Sequence, residues 1–116
     1  MTDENILDQT AIENLRMLGD EDGDDSFLKE VIGIFAEDTP VRLKELRDSY
    51  IAGDPPTFTR AAHSIKGSSS NVGAKRLREL AQLLEADSRV SIKGLDSRIG
   101  ALDDAFAEVK LALERL

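Results

Sequence analysis

Toward the end of the chain the apolar residues Leu95, Ile99, Leu102, Phe106, Val109 and Leu113 recur at intervals of 4, 3, 4, 3 and 4. That spacing tracks a helix of 3.6 residues per turn and lays one apolar seam along its side. A helix is therefore predicted from about Ile92 or Leu95 to Leu116, with Gly94 and Gly100 weakening its first turns. A seam of this kind is stable only when other helices cover it, so the rest of the chain must supply them.

The rest of the chain does so. A first helix is predicted from about Asp8 to Gly19, with Ile12, Leu15 and Leu18 as its stripe. The acidic stretch Gly19–Asp25 follows as a polar linker. It crowds carboxylates around glycine as calcium loops do, but in the EF-hand register the sixth position falls on Asp25 instead of glycine. Asp25 or Ser26 is the expected N-cap of the next helix. That helix is long, from about Ser26 to Ile51, and turns Leu28, Val31, Ile32, Phe35, Leu43 and Leu46 to the core. Pro40 inside it predicts a kink, because proline lacks the backbone donor and crowds the preceding turn. Gly53-Asp54-Pro55-Pro56 breaks the chain and opens a helix that reaches about Val72, with Gly73 as its stop. A helix over about Ala74–Ser88 buries Leu77, Leu80, Ala81 and Leu84. No segment reads as a β-strand, and no repeat is present. The expectation is all-α: an antiparallel up-down four-helix bundle with an additional short N-terminal helix, forming a single domain over residues 1–116.

Composition removes several function classes. The chain has no cysteine, so disulfides, thiolate metal sites and cysteine nucleophiles are excluded, and with one histidine a metal site is not expected. A net charge of −8 disfavours nucleic acid and anionic membranes, both of which call for a basic face. The N-terminus lacks a secretory pattern, and no apolar run approaches the ~20 residues of a membrane span. A cytoplasmic monomer is expected.

The chemistry concentrates around that one histidine. In helical phase Phe58, Ala61, Ala62, Ile65, Ser69 and Val72 form an apolar or small face. His63, Lys66, Gly67 and Ser70 fall on a different face, with Arg60 close by. An ordinary surface histidine fits that phase too. Gly67 argues for more, since glycine within a helix costs about 1 kcal/mol relative to alanine. Three serines follow it and weaken the helix further. His63 thus has a cation at i+3 and no side chain at i+4. An exposed imidazole is roughly 90% neutral about one unit above its usual value of about 6.5. No dedicated base is then required for it to accept a phosphoryl group. Lys66 would meet the phosphoryl oxygens as a point charge, Gly67 would leave room for a partner, and Ser70 and Arg60 would hydrogen-bond at the rim. No glycine-rich nucleotide loop is present, so no kinase activity is expected.

The run His63-Ser64-Ile65-Lys66-Gly67-Ser68-Ser69-Ser70-Asn71-Val72-Gly73-Ala74 resembles the signature of histidine-containing phosphotransfer (HPt) domains. Phe27-Leu28, Phe35, Pro40, Leu43, Leu46, Gly53-Asp54, Leu77, Leu80 and Leu83-Leu84-Glu85 extend the resemblance over about residues 9–116. It implies that His63 is the phosphoacceptor of a two-component phosphorelay. The implied partners are a response-regulator receiver domain, whose aspartate and Mg²⁺ complete the site, and a sensor histidine kinase, hybrid or not. The chain would hold no cofactor of its own. Two other readings fit the residues: a helical-bundle adaptor in which His63 is incidental, and the phosphoacceptor domain of a chemotaxis-type histidine kinase.

Overall fold

The structure, a computed structural model, describes residues 3–18 and 25–116. Among the described residues six helices follow in order: α1 (Asp3–Ile6), α2 (Gln9–Leu18), α3 (Ser26–Ala52), α4 (Pro55–Asn71), α5 (Lys75–Ser88) and α6 (Asp96–Glu114). No strand occurs among the described residues. Helix α4 packs against α3 and α5, and α6 packs against the same two helices, so α3 to α6 close a four-helix bundle. The short connections make sequential neighbours antiparallel, as expected.

Each bundle helix turns inward the stripe that its periodicity marks, although Val31, Ile32, Leu80 and Leu95 are only half-buried at its edge. Phe58, Ala61, Ala62, Ile65 and Ser69 of α4 are buried, as are Leu77, Ala81 and Leu84 of α5. In α6, Ile99, Leu102, Val109 and Leu113 are buried. Phe106 is half-buried and tilts against Phe35 of α3 with ring centroids 5.5 Å apart.

The connection that orients α4 uses three local devices. Gly53, at φ 66°, closes α3 in the left-handed region, where glycine carries no Cβ penalty. Its N–H meets the carbonyls of Ser49 and Tyr50. Asp54 then caps α4, accepting from Thr57 N at 3.3 Å and from Thr57 Oγ1 at 2.6 Å. Those two bonds hold the Asp54 carboxyl below its ordinary value. Pro55 and Pro56 sit in the first turn, where a missing N–H costs nothing.

Three details differ from the sequence reading. A one-turn helix, α1, precedes α2, and its Ile6 and the following Leu7 are buried. Asp8 is the cap of α2, accepting from Thr10 N and Ala11 N, while Leu18 is exposed instead of buried. Asp25 takes the N-cap position of α3 without a capping side-chain bond and lies 3.7 Å from Arg16 Nε. Helix α3 runs through Pro40, within the span the sequence marks for it. The expected helix stop at Gly19 and the linker as far as Asp24, with the calcium-loop pattern it resembles, lie outside the described residues.

Candidate functional site

His63 stands in the middle of α4, on the side away from the buried Ala62 and Ile65. Its side chain is 63% exposed. Across the α4–α5 contact, α5 turns Leu77, Ala81, Leu84, Glu85 and Ser88 inward, and Glu85 comes up beneath the imidazole. The Glu85 side chain is only 3% exposed. A carboxylate so buried must be fully hydrogen-bonded.

Three donors meet that requirement. Glu85 Oε2 lies 2.9 Å from His63 Nδ1 and accepts from Arg89 at 2.6 Å, while Oε1 accepts from Lys66 Nζ at 2.8 Å. Burial pushes the Glu85 carboxyl up. The hydrogen bonds from Lys66 and His63 outweigh burial and hold it below the ordinary glutamate range. The stabilisation from this cluster is therefore present at neutral pH and is lost as the pH falls through that lowered value. An ionised carboxylate can only accept, so the proton on the imidazole sits on Nδ1. In the neutral ring the lone pair then falls on Nε2.

Around this pair the other sequence candidates divide. Lys66 joins the cluster, with its ammonium on Glu85. Gly67 is exposed, and a Cβ built on it would have nothing within 4 Å, so the surface one turn beyond His63 is open. Arg60 lies on the opposite flank, where its guanidinium donates to Thr57 Oγ1 at 3.4 Å. It lines an open depression of about 530 Å³ together with His63, Glu85 and Arg89. The Ser70 hydroxyl turns back on its own helix and donates to the carbonyl of Lys66 at 3.0 Å.

Glu85 and Arg89 are absent from the functional residues that the sequence suggests. Glu85 is 22 residues from His63, so no local spacing joins them. One signal was present. Glu85 falls within the apolar stripe of α5, and a charged residue in a core-facing stripe implies a buried partner.

The structure thus brings together an exposed imidazole, a buried carboxylate against its Nδ1 and an open Nε2 side. The family follows from residues 30–116, which match the Hpt domain family. The chain belongs to the Hpt domain family. As an Hpt domain it is a histidine phosphotransfer carrier of phosphorelays, a class that works with response regulators and histidine kinases and that carries phosphoryl groups without being a kinase. The histidine-containing phosphotransfer protein HptB from Pseudomonas aeruginosa PAO1 is similar in fold, with a TM-score of 0.83 and 27% identity over 94% of this chain and 91% of that one. The maize histidine-containing phosphotransfer protein ZmHP2 has a TM-score of 0.79 and 22% identity over 99% of this chain and 85% of that one. No curated protein sequence gives a significant match. Among the described residues of this Hpt chain, no helix is long and apolar enough to cross a membrane, and no three His, Cys, Asp or Glu side chains group as a metal site.

Proposed function

We propose that His63 is the phosphoacceptor and that Nε2 is the reacting atom. The observation that carries this reading is the Nδ1–Glu85 hydrogen bond on an exposed ring. The Nε2 lone pair attacks the phosphorus of an aspartyl phosphate on a receiver domain. The N–P bond forms as the aspartate O–P bond breaks, and the bonding pair leaves on the aspartate carboxylate. The proton on Nδ1 stays in place. The ring gains positive charge as it bonds to phosphorus, and the ionised Glu85 lies beside that charge. Transfer to a receiver runs through the same steps in reverse.

On this reading little else of the reaction falls to this chain. Phosphoryl transfer depends on positioning and charge neutralisation. A carboxylate already shared by three cationic or proton-bearing side chains is a poor ligand for a divalent ion, so the Mg²⁺ is assigned to the receiver. The sensor histidine kinase, a cytoplasmic location, a monomeric state and a single domain over residues 1–116 belong to the same reading. Lys66 contributes by fixing Glu85 under the imidazole, and from there its ammonium lies one turn from the incoming phosphoryl group.

The test uses a panel of phosphorylated receiver domains as donors. The expected product is acid-labile, base-stable phosphate on the parent protein and none on His63→Gln, with helicity and melting temperature nearly unchanged. Phosphate uptake that survives the substitution overturns the assignment.

A further inference from the structure

The serine run that follows Gly67 divides in the fold. Ser68 and Ser70 turn their hydroxyls back on α4 and donate to the carbonyls of Ile65 and Lys66. Ser69, between them, is fully buried, and its Oγ has no hydrogen-bond partner. A hydroxyl taken out of water and left unpaired is costly, and alanine would avoid that cost. The Ser69 hydroxyl is therefore placed for a partner from outside the chain.

Ser69 lines a polar depression of about 180 Å³ with Asp8, Ser70, Gly73, Lys75 and Arg78. The depression lies at the N-terminus of α5. That helix has no capping side-chain bond and no acidic residue in its first turn. Its N–H groups at Lys75 and Arg78 reach the carbonyls of Gly73 and Ala74, whereas those of Arg76 and Leu77 meet no acceptor among the described residues. A helix N-terminus carries partial positive charge, which favours anions and repels cations. Yet Lys75, Arg76 and Arg78 all stand at this end. Among the described residues none of the three meets a carboxylate at ion-pair distance. The carboxylate that lines the depression, Asp8, turns its Oδ1 to Thr10 N and Ala11 N.

The antiparallel register that sets Glu85 against His63 sets Arg78 against Ser70, two turns further along the same α4–α5 groove. At the rise of a helix that is about 10 Å from the imidazole. We propose that the depression binds a tetrahedral oxyanion, either free phosphate or the terminal group of a phosphate monoester, at a site separate from His63. Ser69 Oγ, the Lys75 ammonium, the Arg78 guanidinium and the first N–H groups of α5 donate to its oxygens. The volume suits one such group and not a whole nucleotide.

Inorganic phosphate is titrated into the ¹⁵N-labelled chain at constant ionic strength, with chloride as the reference. The expected result is saturable shifts of the Ser69, Ser70, Arg76 and Leu77 amides and a melting temperature that rises with phosphate. Lys75→Ala and Arg78→Ala should each weaken binding roughly tenfold, the scale of one lost charge-assisted hydrogen bond. Ser69→Ala should also weaken it, while melting no lower than the parent in chloride, because the hydroxyl it removes has no partner. Asp8→Asn keeps a capping oxygen for α2 and removes a negative charge, so it should tighten binding. His63→Gln should bind phosphate as the parent does. Glycerol phosphate separates the two sources: binding at least as tight as that of phosphate assigns a monoester, and weaker binding assigns the free ion. Circular dichroism shows whether each variant is folded. Shifts that grow without saturation, shifts lost in His63→Gln, or parent affinity in folded Ser69→Ala and Arg78→Ala overturn the proposal.

Discussion

Gly67 and Glu85 determine opposite sides of the same imidazole. Glu85 holds Nδ1 from below, and Gly67 leaves empty space one turn further along α4. A methyl group at position 67 would touch nothing, since no atom lies within 4 Å of the built Cβ, and its φ is not in the left-handed region. Alanine should therefore stabilise the helix by roughly 0.4–1 kcal/mol. Glutamine also suits a helix, but its side chain would fill the open surface on which the proposed function places an approaching receiver. Gly67→Ala should raise the denaturant midpoint, whereas Gly67→Gln should keep the fold and slow transfer from a phosphorylated receiver severely. A glutamine variant that transfers at the parent rate would show that the open surface is not used for docking.

At the level of elements, the turns set the position of the site, and two glycines separate the effects at work in them. Gly53 and Gly73 both have positive φ, 66° and 68°. Around Gly53 a Cβ would meet nothing within 4 Å, so Gly53→Ala tests backbone conformation alone. That cost is about 1–2 kcal/mol. Around Gly73 a Cβ would lie 3.0 Å from the backbone oxygen of Asp8 and 3.1 Å from Ala11 Cβ, and the Gly73 carbonyl accepts from Asp8 N at 2.7 Å. Gly73→Ala must strain the backbone and also push away the start of α2. It should lower the melting temperature clearly more than Gly53→Ala. Equal losses would mean that the N-terminal segment yields without cost. Both glycines were legible as helix stops, as were Asp54 with its two prolines and the buried stripes of α4, α5 and α6, because these are local signals of capping and period. The contact of Gly73 with Asp8 was not legible, since it spans 65 residues of chain and leaves no mark in spacing. The pairing of Glu85 with His63 was hidden for the same reason, since the place of Glu85 in the apolar stripe of α5 marks it for burial but does not name its partner. The one-turn α1 is too short to carry a period at all.

For the whole molecule, the question is where the folded unit begins. The family match starts at residue 30, yet Ile6, Leu7 and Ile12 are buried in the same core as Phe58 and Leu84. Helix α1 packs on α5 and α6, and α2 packs on α3, so the N-terminal segment closes one end of the bundle. Fully burying a large aliphatic side chain is worth about 1.5–3 kcal/mol, so three of them approach the whole net stability of a small domain, about 5–15 kcal/mol. The segment is then a structural part of the molecule, and the α4–α5 turn beneath it leads into the helices that hold His63 and Glu85. Ile12→Ala and Leu7→Ala should each cost about 2–5 kcal/mol, the range for large-to-alanine changes in a closed core. Both residues lie outside the His63 cluster, so phosphate uptake by the folded fraction should stay at the parent rate, measured well below the melting transition. Urea melts that overlay the parent curve would show the segment to be an appendage of the bundle. A loss of uptake in fully folded Ile12→Ala would show that the end of the bundle and the imidazole are coupled through α4.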